Sequence, residues 1–296
     1  MDKMETKIKK VLLVINPVSG DTDKQSIIDT VKDFMAQNIN LSIHKTTGTN
    51  DIDKLEKKLQ EFQPDRVLVA GGDGTIKMVA QACENENLII GILPAGSANG
   101  LATDLELPMD CEEAISIAMG KKTIKMDALR IGDSIGLHIS DLGINAELID
   151  KYSDSAVRGR FGYLLNSIPT LWETESPYQF SISINGLKKE VEAVMVAFAN
   201  SKKFGTGALV NPNGEIDDGK FEVLIFKELD VLRVLQTLNG NIDLDSNFVE
   251  ILQTTAEVRV TTAKPICFQI DGEPSGKTTE VIVSIIPNYI KIAVGK

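Results

Sequence analysis

The sequence predicts an α/β protein of two domains: an N-terminal parallel sheet covered by helices, and a mostly antiparallel, β-rich C-terminal domain. Three observations predict it. Through about residue 120, short apolar runs alternate with segments whose apolar residues recur at helical spacing. Three of those apolar runs lead straight into glycine-bearing turns, the pattern of βα units in a parallel sheet. Past about residue 122 strand-like runs follow one another, and Asn185-Gly186 stands between two of them as a hairpin signal.

Element by element, Val11 to Ile15 is the first strand, and Ile27, Ile28, Val31, Phe34 and Met35 mark a helix face. Leu41 to Thr46 reads as a strand, and Ile52, Leu55, Leu59 and Phe62 form a second helix face. Strand 67–70, a helix from Thr75 to Glu84, strand 88–93 and a helix starting near Ala98 complete the alternation. Lys122 to Leu129 and Ser134 to Ser140 then read as strands. Phe161 to Trp172 reads as a helix with Leu164, Leu165, Ile168 and Trp172 on one side. Tyr178 to Ile184 and Val191 to Ala199 flank the Asn-Gly turn, and 221–226, 256–262, 266–270 and 281–286 are further strands. The boundary falls near 125–132, giving domains 1–129 and 130–296, with the last strand free to return to the first domain.

The chain has 296 residues, 43% of them apolar and 25% charged, ordinary proportions for a globular protein. At this length a chain buries roughly 75% of its extended surface. No apolar run approaches the ~20 residues that cross a bilayer. Met1 to Lys10 lacks the apolar core of a signal peptide, so a cytoplasmic location is the expectation. Cys83, Cys111 and Cys267 have no metal-ligand spacing, and their odd number argues against a disulfide framework, which leaves buried small apolar residues. His44 and His138 are the two histidines, each in a strand-like segment away from the glycine loops, so acid–base work falls to carboxylates. A net charge of −11 without a basic run excludes nucleic-acid partners and disfavours lasting attachment to an anionic membrane. The oligomeric state is left open, a homodimer included.

Residues 66–77 carry the most information. A strand runs into Gly71-Gly72-Asp73-Gly74-Thr75, followed by Ile76 and Lys77. Glycines ahead of a helix bring bare N–H groups and the helix's partial positive charge to a ligand, which suits phosphate. An aspartate in that turn would repel phosphate unless a divalent cation lies between them or the carboxylate takes a proton from an attacking hydroxyl. A tight βα turn with Asp73 as helix cap is the structural alternative. Two further loops weigh against structure alone: Asn16-Pro17-Val18-Ser19-Gly20 after the first strand, and Pro94-Ala95-Gly96-Ser97-Ala98-Asn99-Gly100 after strand 88–93. In an open α/β sheet such loops gather along one edge, where ligands bind.

Together these runs resemble the diacylglycerol kinase catalytic-domain family of lipid kinases, which includes bacterial soluble lipid kinases and sphingosine kinases. The resemblance extends to Asp271-Gly272-Glu273. NAD kinases share the Gly-Gly-Asp-Gly-Thr run and phosphofructokinases a close variant, so a nucleotide-binding domain like theirs is implied at the N-terminus. The resemblance implies an ATP-dependent lipid kinase acting in the cleft between its domains, on a lipid reached by brief membrane contact. By the family pattern Asn16 to Gly20, Thr46, Gly71 to Lys77 and Ser97 bind the nucleotide, with Thr47 beside Thr46 leaving that register open. Glu273 matches the acceptor of the lipid hydroxyl's proton, while Asp73 organises magnesium and the phosphates or shares the base role. Asp218, with main-chain oxygens of Glu215 and Lys220, matches a structural magnesium segment of bacterial members.

The chain departs from the family at three positions. Lys77 and Met78 replace a polar pair, and Gly100 replaces an aspartate that helps organise magnesium, for which Asp104 is the available substitute. Asp127 matches another acid of that network. Arg158 and Arg160, ahead of helix 161–172, read either as contacts for a lipid headgroup or as the exposed N-flank of that helix. Glu147, after Gly143-Ile144-Asn145-Ala146, matches the acid that sphingosine kinases turn to their substrate's ammonium. An NAD kinase, or a nucleotide-binding regulator without catalysis, are the alternative readings.

Overall fold

Runs of apolar residues with no polar alternation become strands buried on both faces. In the first unit these are β1 (Lys10–Ile15), β3 (Arg66–Gly71) and β4 (Ile89–Pro94), with the more exposed β2 (Asn40–Lys45) at the edge. The computed structural model describes residues 8–20, 22–35, 38–84, 86–97, 99–152, 177–203, 209–228 and 248–295. The helix read over Phe161 to Trp172 and the arginines Arg158 and Arg160 lie outside them. The chain divides into two units, Met1–Met126 with Tyr289–Lys296, and Asp127–Asn288. Among the described residues no helix is long and apolar enough to cross a membrane.

In the first unit the strands run parallel in the order β2-β1-β3-β4. Lys291 and Ile292, from the chain's final strand, pair in parallel beside Ile89 and Ile90 of β4. The order reverses between β1 and β3, the switch point at which open α/β sheets bind ligands. The covering helices are α1 (Lys24–Phe34), α2 (Asp51–Phe62), α3 (Asp73–Ala82), the short α4 (Gly100–Asp104) and α5 (Cys111–Ala118). Asp23 caps α1 by accepting from the Gln25 N–H at 2.9 Å. Ile27, Ile28 and Val31 of that helix pack into one core cluster with Val11, Leu13 and Ile15. Each such buried aliphatic contributes about 1.5–3 kcal/mol over leaving it in water.

The helix expected from Ala98 is two helices, α4 and α5. Pro108 disfavours helical backbone at the residue before it, and Glu106 turns left-handed at φ 53°. Helix α3 starts at Asp73 rather than Thr75, because the extended Gly72 serves as its cap.

The second unit takes over within β5 (Thr123–Ile131) and continues through β6 (Ser134–Gly136), β7 (Ile139–Gly143) and α6 (Ile144–Tyr152). Then follow β8 (Tyr178–Ile184), β9 (Leu187–Ala193), β10 (Met195–Ala199), β11 (Phe221–Phe226) and β12 (Val249–Thr254). β13 (Val258–Ile270) and β14 (Glu273–Ala293) form a long hairpin. The order β12-β11-β10-β7-β13 is antiparallel throughout. β10 and β11 are buried on both faces: Val196, Phe198, Val223 and Ile225 enter one apolar cluster, Ala197 and Leu224 another.

The β8–β9 turn has φ 51° at Asn185 and 77° at Gly186, the pair of positive angles a type I′ turn requires. The two strands read at 256–262 and 266–270 are one, β13. A register shift between Thr261 and Ile266, where Pro265 has no N–H to offer, lets its first part pair with β8 and its last part with β7. The fold class predicted from the sequence is the one observed: parallel α/β, then mostly antiparallel β.

Candidate functional site

In the first unit the three glycine loops meet at the carboxyl ends of β1, β3 and β4. Asn16 follows β1; its backbone N–H donates to Ala70 O at 3.1 Å and its Nδ2 to Thr75 Oγ1 at 3.2 Å. Its Oδ1 accepts from the Val18 N–H at 3.1 Å, so the side chain both shapes its own turn and reaches α3. Ser19 Oγ donates to Ala95 O at 3.2 Å, tying the first loop to the third. Gly20 has φ 55°, and a Cβ there would stand 2.9 Å from Ala95 O. The second and third loops touch backbone to backbone: a Cβ on Gly96 would lie 2.3 Å from Gly72 Cα. Position 20 needs glycine for conformation and closeness, positions 72 and 96 for closeness alone.

Asp73 holds the same junction. Its Oδ2 accepts from the Gly100 N–H at 2.8 Å and its Oδ1 from the Leu101 N–H at 2.9 Å. The carboxylate of α3's first residue therefore satisfies the opening amides of α4, which would otherwise lack partners. The family's acid at position 100 is here a glycine whose N–H faces Asp73. Among the remaining expected contacts, Ser97 is exposed on the third loop, Gly74 is exposed, and Lys77 and Ile76 lie in the first turns of α3. Thr46 is buried at the end of β2 with its N–H on Ile15 O at 3.0 Å, while Thr47 Oγ1 is held by Asp51 and Lys54.

Two residues of this edge were given no role of their own from the sequence. Lys24 directs its ammonium at the carbonyls of Ser19, Thr22 and Ala95. A lysine as the first residue of a helix opposes the helix dipole, and that misplacement is the signal that could have found it. Asn99, left-handed at φ 54°, locks Gly96 with a donated and an accepted bond of 2.9 and 2.8 Å.

In the second unit Asp271 and Gly272 form the turn between β13 and β14, with φ 53° and 85°, and Glu273 opens β14 opposite Ile270, exposed. The Asp271 carboxylate accepts from the Leu137 N–H at 2.9 Å and the His138 N–H at 2.8 Å. His138 thus belongs to the surroundings of this turn and not to a remote strand: it sits in the link between β6 and β7, with Nδ1 3.0 Å from Ser201 Oγ. His44 does stand in β2. Cys83 and Cys267 are buried and Cys111 partly so; burial pushes the Cys83 thiol up to about 12 and raises that of Cys111, which removes thiolate chemistry from both.

In the segment matched to a structural magnesium the one side-chain acid is held locally. Asp218 Oδ1 accepts from the Lys220 N–H at 2.9 Å, and its Oδ2 faces the Lys220 ammonium at 3.6 Å. Among the described residues no group of three or more His, Cys, Asp or Glu could hold a metal ion. Asp127, buried, accepts from the Gly219 N–H through Oδ2 at 2.7 Å and from the Asn288 N–H through Oδ1 at 2.6 Å, and so anchors this segment through backbone. Glu147 accepts from the hydroxyl of buried Tyr178.

Asp141 in β7 is wholly buried, and desolvation pushes its carboxyl up to about 7 against the opposing bonds from Gln269, Asn145 and the Ala146 N–H. Below the unfolded value near 4 both states hold the proton. Between about 4 and 7 the unfolded chain releases it while the fold keeps it, so stability falls as pH rises. The penalty is complete above about 7 and amounts to about 4 kcal/mol at most. The stability gained by Asp141→Asn is therefore expected to grow from pH 4 to pH 8 in thermal melts. A gain that is the same at both pH values would remove the linkage.

A model of the diacylglycerol kinase catalytic domain matches residues 10–131, and a model of the YegS C-terminal NAD kinase beta sandwich-like domain matches residues 141–294. A protein named "Probable lipid kinase YegS-like" from Yersinia enterocolitica is 25% identical over 95% of both chains. One of the same name from Chromohalobacter salexigens is 29% identical over 79% of this chain and 78% of its own. A crystal structure of a diacylglycerol kinase from Bacillus anthracis superposes with a TM-score of 0.74 at 20% identity, covering 98% of each chain.

Proposed function

Since the chain belongs to the lipid-kinase-like family that joins a diacylglycerol kinase catalytic domain to a YegS-type C-terminal domain, we propose that it transfers the γ-phosphate of ATP to a lipid hydroxyl. The observation that carries the reading is the junction of three glycine loops at one sheet edge, with Gly96 against Gly72 and Gly20 against Ala95. That edge offers N–H groups to phosphate at the start of α3. In this reading Asn16 to Gly20, Thr46, Gly71 to Lys77 and Ser97 bind ATP. Asp73 fixes the third loop against the second, and its carboxylate keeps lone pairs beyond the two amides it accepts. The magnesium that accompanies ATP is part of that substrate and supplies charge neutralisation at the phosphates. Glu273 accepts the proton of the acceptor hydroxyl. With a net charge of −11, the protein meets its lipid at a membrane surface briefly.

The test is incubation with radiolabelled ATP and a panel of diacylglycerol, phosphatidylglycerol, a sphingoid base and NAD, with products identified by mass. Label in a lipid supports the reading and names the acceptor. Label in NAD alone replaces it, and ATP binding with no labelled product would favour a regulator. A second expectation concerns the loops. Gly96→Ala places a methyl carbon within 2.3 Å of Gly72 Cα, a distance backbone atoms must move to relieve. It should weaken ATP binding by about tenfold or more, roughly 1.4 kcal/mol, with the core still folded. Calorimetric affinity within twofold of the native chain would show that the loop junction is not the ATP site.

A further inference from the structure

Asp141 has no ion-pair partner among the described residues, lies wholly buried in β7, and disfavours folding at neutral pH where an apolar residue would not. Its partners explain its presence. Gln269 stands directly opposite it on β13 and is equally buried. The Gln269 amide is used at both ends. Nε2 donates to Asp141 Oδ2 and, at 3.4 Å, to Ile139 O; Oε1 accepts from the Gly272 N–H at 2.6 Å. Asn145 of α6 donates to the same Oδ2 at 2.6 Å. A primary amide can be turned end for end, and only one of its two orientations presents an acceptor to Gly272. The acceptor oxygen of Asp141 selects that orientation.

We propose that Asp141 is a positioning residue for the turn that carries Glu273, acting through the amide of Gln269. This rests on the reading of Glu273 as the proton acceptor given above. The turn is held from two sides: Asp271 grips the Leu137 and His138 amides, and Gln269 grips the Gly272 amide. A two-residue hairpin turn needs neither anchor to close. A side chain that must meet a hydroxyl within hydrogen-bond reach does need them, since a displacement of 1 Å can lower a rate by about a hundredfold. The relay does not depend on the charge of Asp141. Oδ1 has no hydrogen bond among the described residues, so it can take a proton while Oδ2 goes on accepting from both amides. The groups facing the carboxyl are the amides of Gln269 and Asn145 and the Ala146 N–H, with no charged neighbour among them.

The experiment pairs amide hydrogen exchange with kinetics in the full chain, comparing Asp141→Leu, Asp141→Asn and Gln269→Met. Asn keeps an acceptor at the Oδ2 position; Leu keeps volume and removes it; Met removes the relay at its second member should Leu fail to fold. Exchange at the Gly272 amide should quicken about tenfold or more in the Leu and Met variants, with the β7 and β10 amides unchanged, and stay near native in the Asn variant. Lipid phosphorylation should fall about a hundredfold in kcat for Leu and Met with the KM for ATP within twofold, and Asn should restore it to within about threefold. Native exchange at Gly272 in both Leu and Met variants overturns the proposal, as does faster exchange with unchanged kcat. Should the native chain phosphorylate no lipid, the reading of function fails by itself, and the exchange at Gly272 still decides whether the relay holds the turn.

Discussion

Asp73→Asn is expected to lower turnover by ~10²–10⁴-fold, the range for losing a group that handles a proton or orders the reacting charge. The geometry gives the reason for so large an effect from one atom. The carboxylate accepts from the Gly100 and Leu101 amides with separate oxygens. A carboxamide can accept from one and must point its own N–H₂ at the other, pushing the third loop away from the second. Loss of a cap of this kind costs about 0.5–2 kcal/mol of stability, small beside the 5–15 kcal/mol that holds a typical domain folded. The rate loss corresponds to about 3–5 kcal/mol of barrier, so activity should fall while the melting transition moves only slightly. Both are to be measured on one preparation. A variant with more than half the native activity would exclude Asp73 from the chemistry and leave it as the cap of α4.

The second large effect is expected at Glu273→Gln, and it should fall on kcat. Glu273 stands exposed just after a turn with two positive φ angles. On the proposed role, replacing its carboxylate by an amide removes the proton acceptor, about 10²–10⁴-fold in rate, and should leave ATP binding alone. Steady-state kinetics with ATP varied at saturating lipid separate the outcomes. Unchanged kcat with a raised KM for ATP would move Glu273 to the nucleotide and leave the base unassigned.

The strands of the first unit were legible because Val11 to Ile15, 67–70 and 88–93 are apolar without alternation, and the loops after them because glycine and proline punctuate chemistry locally. What escaped the sequence was set by distant partners. Nothing near Asp73 announces that its carboxylate closes onto residues 100 and 101, nor that Asp127 reaches Gly219 and Asn288. β12 was missed because Glu250 and Gln253 interrupt Val249–Thr254, and the start of β9 because Lys188, Lys189 and Glu190 hide a strand whose face is solvated. His138 was misplaced for a related reason: a strand-like run was broken at a link held by the Asp271 carboxylate and by Asn200 and Ser201, all far along the chain.

The pairing of Lys291 and Ile292 with β4 has a consequence for how the protein is made. During synthesis the parallel sheet cannot be finished when residue 126 leaves the ribosome, because the strand that flanks β4 is translated only after the entire second unit. Until then β4 presents an open row of N–H and C=O groups, an invitation to pair with another chain. A gene fragment ending at residue 126 should therefore yield aggregates, whereas grafting residues 289–295 after a short linker should give a soluble first unit. Expression at high rate should favour misassembly of the full chain for the same reason, and slowing translation through residues 127–288 would lengthen the exposure rather than relieve it.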